Sequence, residues 1–141
     1  MEIACSQCQT VNRVPAERVR DGAICAQCKT PLLPSEPVEL TNAGFDKMIA
    51  VTQGVPVVVD FWAPWCGPCR MMAPMYHDAA SQLQGEAILA KLDTEANQEA
   101  AARFGIRSIP TVAIFLDGRE LARFSGVRPA NEIVAWVRSQ L

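Results

Sequence analysis

The chain is poor in several residue types on which common binding and catalytic designs depend. It has a single histidine, His77, and aromatic residues make up only 6% of it. Positive charge is not in excess, because the formal net charge is −2. That balance gives no support to nucleic-acid binding by phosphate neutralisation. Long hydrophobic runs are missing too: no stretch approaches the ~18 apolar residues that a membrane span requires. The opening residues, Met1-Glu2-Ile3-Ala4-Cys5, lack the basic and apolar regions of a secretory signal, so a cytoplasmic address is expected. Nothing is low in complexity. Cysteine is what the chain does have, six in 141 residues. In a reducing compartment six cysteines argue for metal binding and catalysis, not for a disulfide framework. The length suits one ordinary domain with a small appendage, and a 50% hydrophobic content is enough for a core.

The stretch Trp65-Cys66-Gly67-Pro68-Cys69 carries the most chemistry. Before it lies Val57 to Trp62, an apolar, β-branched run too short for a helix and read as a buried strand. After it, Arg70 to Leu83 reads as a helix, kinked at Pro74. Cys66 therefore falls at the helix N-terminus and Cys69 about one turn further in. Unpaired N–H groups and the helix dipole favour negative charge there, which raises the thiolate fraction. Cysteines at this spacing share a helical face and can form a disulfide without refolding the chain. A structural disulfide closed over two residues would remove little chain entropy, so thiol–disulfide exchange is the favoured reading.

Residues 1–33 hold a second pattern, Cys5-Ser6-Gln7-Cys8 and Cys25-Ala26-Gln27-Cys28, separated by sixteen residues. A two-residue gap lets both sulfurs of a turn reach one tetrahedral ion, and two such turns close a four-thiolate zinc shell. Few bulky apolar residues lie here (Ile3, Val11, Val14, Val19, Ile24, Leu32), so metal binding is expected to supply what core burial cannot. With no histidine nearby, the site is expected to be closed and structural. Paired disulfides or a second redox pair are the competing readings. The segment's charges come to +1 and it has no aromatic residue for base stacking, so it is not read as a nucleic-acid binder. Pro31 to Pro37, with three prolines, marks a linker centred on residues 34–37.

Downstream, residues 38–141 read as alternating strands and helices. Val38 to Leu40 is a short edge strand, and Thr41 or Asn42 caps a helix ending near Gly54. Ala87 to Leu92 is a buried strand, and Thr94 or Asn97 caps a short helix stopping at Gly105. Thr111 to Leu116 is a core strand; Asp117-Gly118 turns the chain into an antiparallel return over Leu121 to Ser125. Pro129, in a first-turn position, opens a final helix with Ile133, Val134, Trp136 and Val137 on its apolar face.

Two of these stretches, with the closing hairpin and helix, carry a resemblance. Val59 to Cys69 is similar to the active-site segment of the thioredoxin family, and Gly105-Ile106-Arg107-Ser108-Ile109-Pro110-Thr111 resembles its cis-proline segment. With the preceding four-Cys module the chain resembles the zinc-binding bacterial thioredoxins, the thioredoxin 2 type. The resemblance implies an α/β thioredoxin fold: a central mixed β-sheet flanked by helices, with a small N-terminal zinc-ribbon-like module. It implies a protein-disulfide reductase in which Cys66 attacks a target disulfide and Cys69 resolves the mixed disulfide. The Gly67-Pro68 dipeptide is that of the reducing members. Asp60, a carboxylate within an apolar strand, is either a strand-end residue facing solvent or a buried group of raised pKa; the resemblance favours burial and proton exchange with Cys69. Lys91 is expected to modulate it. A cis bond before Pro110 would free the Ser108–Ile109 backbone to pair with substrate, and Pro in a central strand independently suggests special geometry. Trp65, Ile109, Gly126 and Val127 would complete the docking surface, with Trp62 packing beneath it. His77, about two turns past Cys69, is read as a surface or packing residue, and Met71 and Met72 as core or rim filler.

Expected partners are oxidised client proteins and a thioredoxin reductase, through which NADPH enters indirectly. No nucleic acid or membrane is expected, and the protein is expected to be a monomer with one structural zinc. A zinc-linked redox sensor, a docking module and a disulfide oxidase or isomerase are the alternatives.

Overall fold

The computed structural model describes residues 1–141. Its framework is a five-stranded sheet built from β3 (Val38–Glu39), β4 (Val57–Trp62), β5 (Ile88–Asp93), β6 (Thr111–Leu116) and β7 (Arg119–Ser125), in the order β3-β5-β4-β6-β7. Pairing is parallel from β3 through β5 to β4 and antiparallel from β4 through β6 to β7, so the sheet is mixed as expected. Alternation along the strands sends successive side chains to opposite faces. Val57, Val59 and Phe61 join one core, with Phe45, Met48 and Ile49 of α1 (Asn42–Val51) and Ala100 of α3 (Gln98–Arg103). Val58 joins the other, with Met72, Tyr76 and Ala80 of α2 (Gly67–Gln82) and Ile133, Val134 and Val137 of α4 (Ala130–Ser139).

Local chemistry sets the helix ends. The Thr41 hydroxyl accepts from the Gly44 N–H at 3.2 Å, capping α1. Asn97, not Thr94, precedes α3, and its side chain reaches outside its own helix. The Asn97 Oδ1 accepts from the Asn42 N–H while the Asn42 Oδ1 accepts from the Ala100 N–H, each at 3.0 Å, tying the two helix starts together. Helix α2 begins at Gly67, three residues before the expected Arg70, because a proline in the first turn gives up no helical hydrogen bond. Pro74 lies within α2, which continues to Gln82. Pro129 occupies the N-cap of α4, one position ahead of the first turn predicted for it. Strand β5 starts one residue later than expected and β7 two residues earlier, the latter because the turn at Asp117-Gly118 is tight.

The N-terminal segment forms a hairpin of β1 (Glu2–Ala4) and β2 (Val11–Arg13), a 3-10 turn at Ala16–Arg18, and a bridge between Ile24 and Pro31. It is not left to its own few hydrophobic residues. Ile3, Val14, Val19, Leu32 and Leu33 are buried in the same core as Val38, Leu40 and Phe45, so burial is continuous across the boundary expected at residue 33. Backbone and hydroxyl bonds reinforce the junction: the Ala4 N–H donates to Thr52 Oγ1 at 3.2 Å and the Gln53 N–H to the Glu2 carbonyl at 2.9 Å. Val11 and Ile24, by contrast, remain exposed.

A shared core makes the two parts unfold together. Ile3→Ala is expected to lower the stability of the whole chain by about 2–5 kcal/mol, seen in urea as one transition with an earlier midpoint. A separate early transition of the N-terminal segment, leaving the rest unmoved, would contradict this.

Candidate active site and metal centre

Strand β4 runs through the core and delivers the chain directly into the Cys66 turn. Cys66 is itself the N-cap of α2: its sulfur accepts from the Cys69 N–H at 3.2 Å. The two cysteines form a disulfide, with Cα atoms 5.2 Å apart. Gly67 and Pro68 between them are exposed, whereas both cysteines are buried, Cys66 at 4% and Cys69 at 1% exposure. Exposure thus barely separates the sulfurs, and the distinction between them rests on the helix terminus. A cap sulfur lies where unpaired N–H groups and the dipole stabilise a thiolate.

Opposite Cys66 is the loop before β6. The Ile109–Pro110 peptide bond is cis, and Cys66 Sγ lies 3.9 Å from the Ile109 carbonyl oxygen. Ser108 is exposed, Ile109 half-buried and Pro110 buried. Thr111, expected only as the first residue of a core strand, also holds this loop: its buried hydroxyl donates to the Ser108 carbonyl at 2.7 Å and lies 2.8 Å from Ser125 Oγ. Gly126 follows in the left-handed region at φ 94°, and its N–H donates to the Pro110 carbonyl at 2.9 Å. Trp65 stands 64% exposed beside the disulfide, and Val127 is exposed on the other side. Met72 is core and Met71 is exposed, while His77 lies on the surface 3.9 Å from Glu36.

On β4, the strand that leads into the cysteine turn, Asp60 projects into the α2 face of the sheet, fully buried and with neither carboxyl oxygen hydrogen-bonded. Removal from water raises its pKa to about 7, against the opposing pull of Lys91 and with a smaller upward push from Glu39. Lys91 is its register partner on β5 and rests over the Trp62 ring, 4.2 Å from the centroid. Tyr76 of α2, the only tyrosine and fully buried, shares its hydroxyl proton between the Val58 and Ala90 carbonyls at 3.1 and 2.9 Å. It pins α2 to β4 and β5, a role that no motif announces.

The other four cysteines gather at the two N-terminal turns, with all sulfurs within 4.8 Å of one another. Cys5 and Cys28 are 3.5 Å apart and Cys8 and Cys25 3.6 Å, close to the ~3.8 Å edge of a tetrahedron with 2.3 Å zinc–sulfur bonds. The turns share one build: Gln9 and Lys29 adopt positive φ, and their N–H groups donate to the Cys5 and Cys25 carbonyls at 2.9 Å. Backbone N–H of Cys28, aided by the Asn12 side chain, draws the Cys25 thiol down to about 6. The donor set and its spacing fit zinc, and no disulfide links these residues.

A carboxyl that holds its proton to about pH 7 when folded, against 3.8 when unfolded, contributes a stability term present below pH 3.8. That term fades as the unfolded chain ionises first, and above pH 7 about 4 kcal/mol has been lost. Asp60→Asn is therefore expected to be more stable than the parent at pH 8, with the difference closing by pH 4. Parallel stability curves for the two would contradict the burial.

No helix is long and apolar enough to cross a membrane. Residues 36–139 match the family model described as Thioredoxin, and residues 4–30 match the zinc-ribbon model described as Thioredoxin 2, N-terminal. The chain is 43% identical over 141 residues to Thioredoxin C-3 of Corynebacterium nephridii, covering all of this chain and 96% of that one. It is 34% identical to the thioredoxin of Haemophilus influenzae over 76% of this chain and 99% of the relative. Among solved structures, a mutant thioredoxin from Halobacterium salinarum aligns with a TM-score of 0.68 at 30% identity, over 76% of this chain and 92% of that one. The chain belongs to the thioredoxin family, with the N-terminal ribbon of the thioredoxin 2 kind, and is a protein-disulfide reductase.

Proposed function

We propose the following division of labour for the reductase reaction. In the reduced protein the Cys66 thiolate attacks one sulfur of a client disulfide; the new sulfur–sulfur bond joins Cys66 to the client, and the other client sulfur leaves as thiolate. Cys69 then gives up its proton to the Asp60 carboxylate and attacks Cys66 Sγ. The Cys66–Cys69 disulfide forms and the second client sulfur is released, so the client gains two electrons and the protein loses two. The observation supporting this reading is the placement of the disulfide at the N-cap of α2, facing the Ile109 carbonyl. Lys91 modulates Asp60, and Gly67 and Pro68 keep the turn between the sulfurs short.

The client lies along Ser108 and Ile109, its extended backbone pairing with the segment that the cis bond at Pro110 leaves open, with Trp65, Gly126 and Val127 as apolar contacts. A thioredoxin reductase, fed by NADPH, restores the dithiol. Cys5, Cys8, Cys25 and Cys28 hold one structural zinc, which closes the two N-terminal turns into a module spanning residues 1–33. Residues 34–37 link it to the redox domain, residues 38–141. The protein works in the cytoplasm as a monomer.

NADPH-coupled reduction of a model protein disulfide by thioredoxin reductase tests the sequence of steps. Parent protein should turn over rapidly, Cys66→Ser should lose at least a thousandfold, and Cys69→Ser should accumulate a mixed disulfide visible by mass. A Cys69→Ser protein that turns over normally, or a mixed disulfide that forms on Cys69, would reverse the roles. Metal analysis of purified protein should return one zinc per chain, and Cys25→Ser should lose it. A parent chain free of metal would remove the zinc assignment.

A further inference from the structure

Across three neighbouring parallel strands, three charged residues stand in one row. Glu39 on β3 is the register partner of Lys91 on β5, which is in turn the register partner of Asp60 on β4. Partners in register project to the same face, here the α2 side, so the row runs from solvent inward. Glu39 is exposed, Lys91 half-buried and Asp60 fully buried. The Lys91 ammonium makes no ion pair within 4.0 Å to either carboxyl. It rests instead on the face of Trp62, two residues along β4 from Asp60. The Trp62 indole N–H is buried with no hydrogen-bond partner; partial burial raises the pKa of Glu39, and Lys91 and then Trp62 pull it the other way. Glu39 also lines a solvent-open groove of about 350 Å³ between the edge strand and Ser6-Gln7 of the first cysteine turn.

We propose that Glu39 is a positioning residue: as the outer of two carboxylates flanking one ammonium, it sets how strongly Lys91 acts on Asp60, and so the pH at which Asp60 takes the resolving thiol's proton. The inference rests on the proton-accepting role proposed for Asp60 above. An ammonium drawn outward to Glu39 and Trp62 stabilises the Asp60 carboxylate less than one free to turn inward. Glu39 adds its own negative charge about two strand spacings away, which acts in the same direction. Tyr76 faces Asp60 from α2 with its hydroxyl committed to backbone carbonyls, Asp93 lies further along β5, and the β6 neighbour is apolar Val112. The α4 residues packed on this face, Ile133, Val134 and Val137, carry no charge.

The test is the pH profile of model-disulfide reduction for the full-length parent and for Glu39→Gln, Lys91→Met, the double variant and Asp60→Asn. Glu39→Gln is expected to move the Asp60 inflection to lower pH by about one unit, at most half of it the direct effect of a unit charge at about 10 Å and the rest relayed through Lys91. Lys91→Met should move it upward. In the Lys91→Met background the Glu39→Gln shift should shrink by at least half, and Glu39→Asp should keep most of the parental profile. An unchanged inflection in Glu39→Gln, or a full shift persisting without Lys91, would overturn the proposal while leaving Asp60 in its role. An Asp60→Asn profile that keeps the inflection would overturn that role and this inference together. A merely structural Glu39 would lower rates at every pH without moving the inflection.

Discussion

The rest of the site depends on one unfavourable arrangement, a carboxyl group held out of water with no hydrogen bond of its own. A charge in that position is costly, so Asp60 keeps a proton to a pH at which an ordinary aspartate has long lost it. A group poised near neutrality can take a proton from a thiol and return it, which is what the resolving step asks of its neighbourhood. Keeping it there requires a sheet and a helix that do not yield. Strand β4 is buried along most of its length between two cores, and Tyr76 fixes α2 over it through two carbonyls. The stability lost by burying Asp60 is offset by the apolar residues around it, a local sacrifice of the kind expected where chemistry is done.

The same sheet joins the two halves of the reaction. Strand β4 ends in the cysteine turn, and its antiparallel neighbour β6 begins at the cis-proline loop, so pairing of these strands places Cys66 opposite Ile109. Thr111 and Gly126 hold that loop from below and beside, leaving Ser108 open to solvent. Reactive sulfur and candidate docking backbone are thereby set by the register of one strand pair. The N-terminal ribbon joins the core on the α1 side of the sheet, lending its few hydrophobic residues to the larger core instead of building one alone.

Much of this was legible in the chain itself, for identifiable reasons. The cysteine pairs announce themselves by spacing, the strands by short β-branched runs, and Pro110 by standing where a central strand should begin. Helix ends were less legible: Pro68 extends α2 backwards because a first-turn proline is harmless, and Asn97 looks like an ordinary cap until its side chain is found serving α1. Long-range relations were least legible. The row of Glu39, Lys91 and Asp60 unites three strands far apart in sequence, and only their register reveals it. Burial of Ile3 and Leu32 depends likewise on a partner surface that no local pattern encodes.

Burial of Asp60, with its proton held to near neutrality, can be measured at its own carboxyl carbon. Carbon-13 NMR titration of the Asp60 carboxyl in the oxidised protein should give a midpoint near 7. A midpoint near 3.8, the ordinary value, would show a solvated carboxylate and remove the proton acceptor from the account.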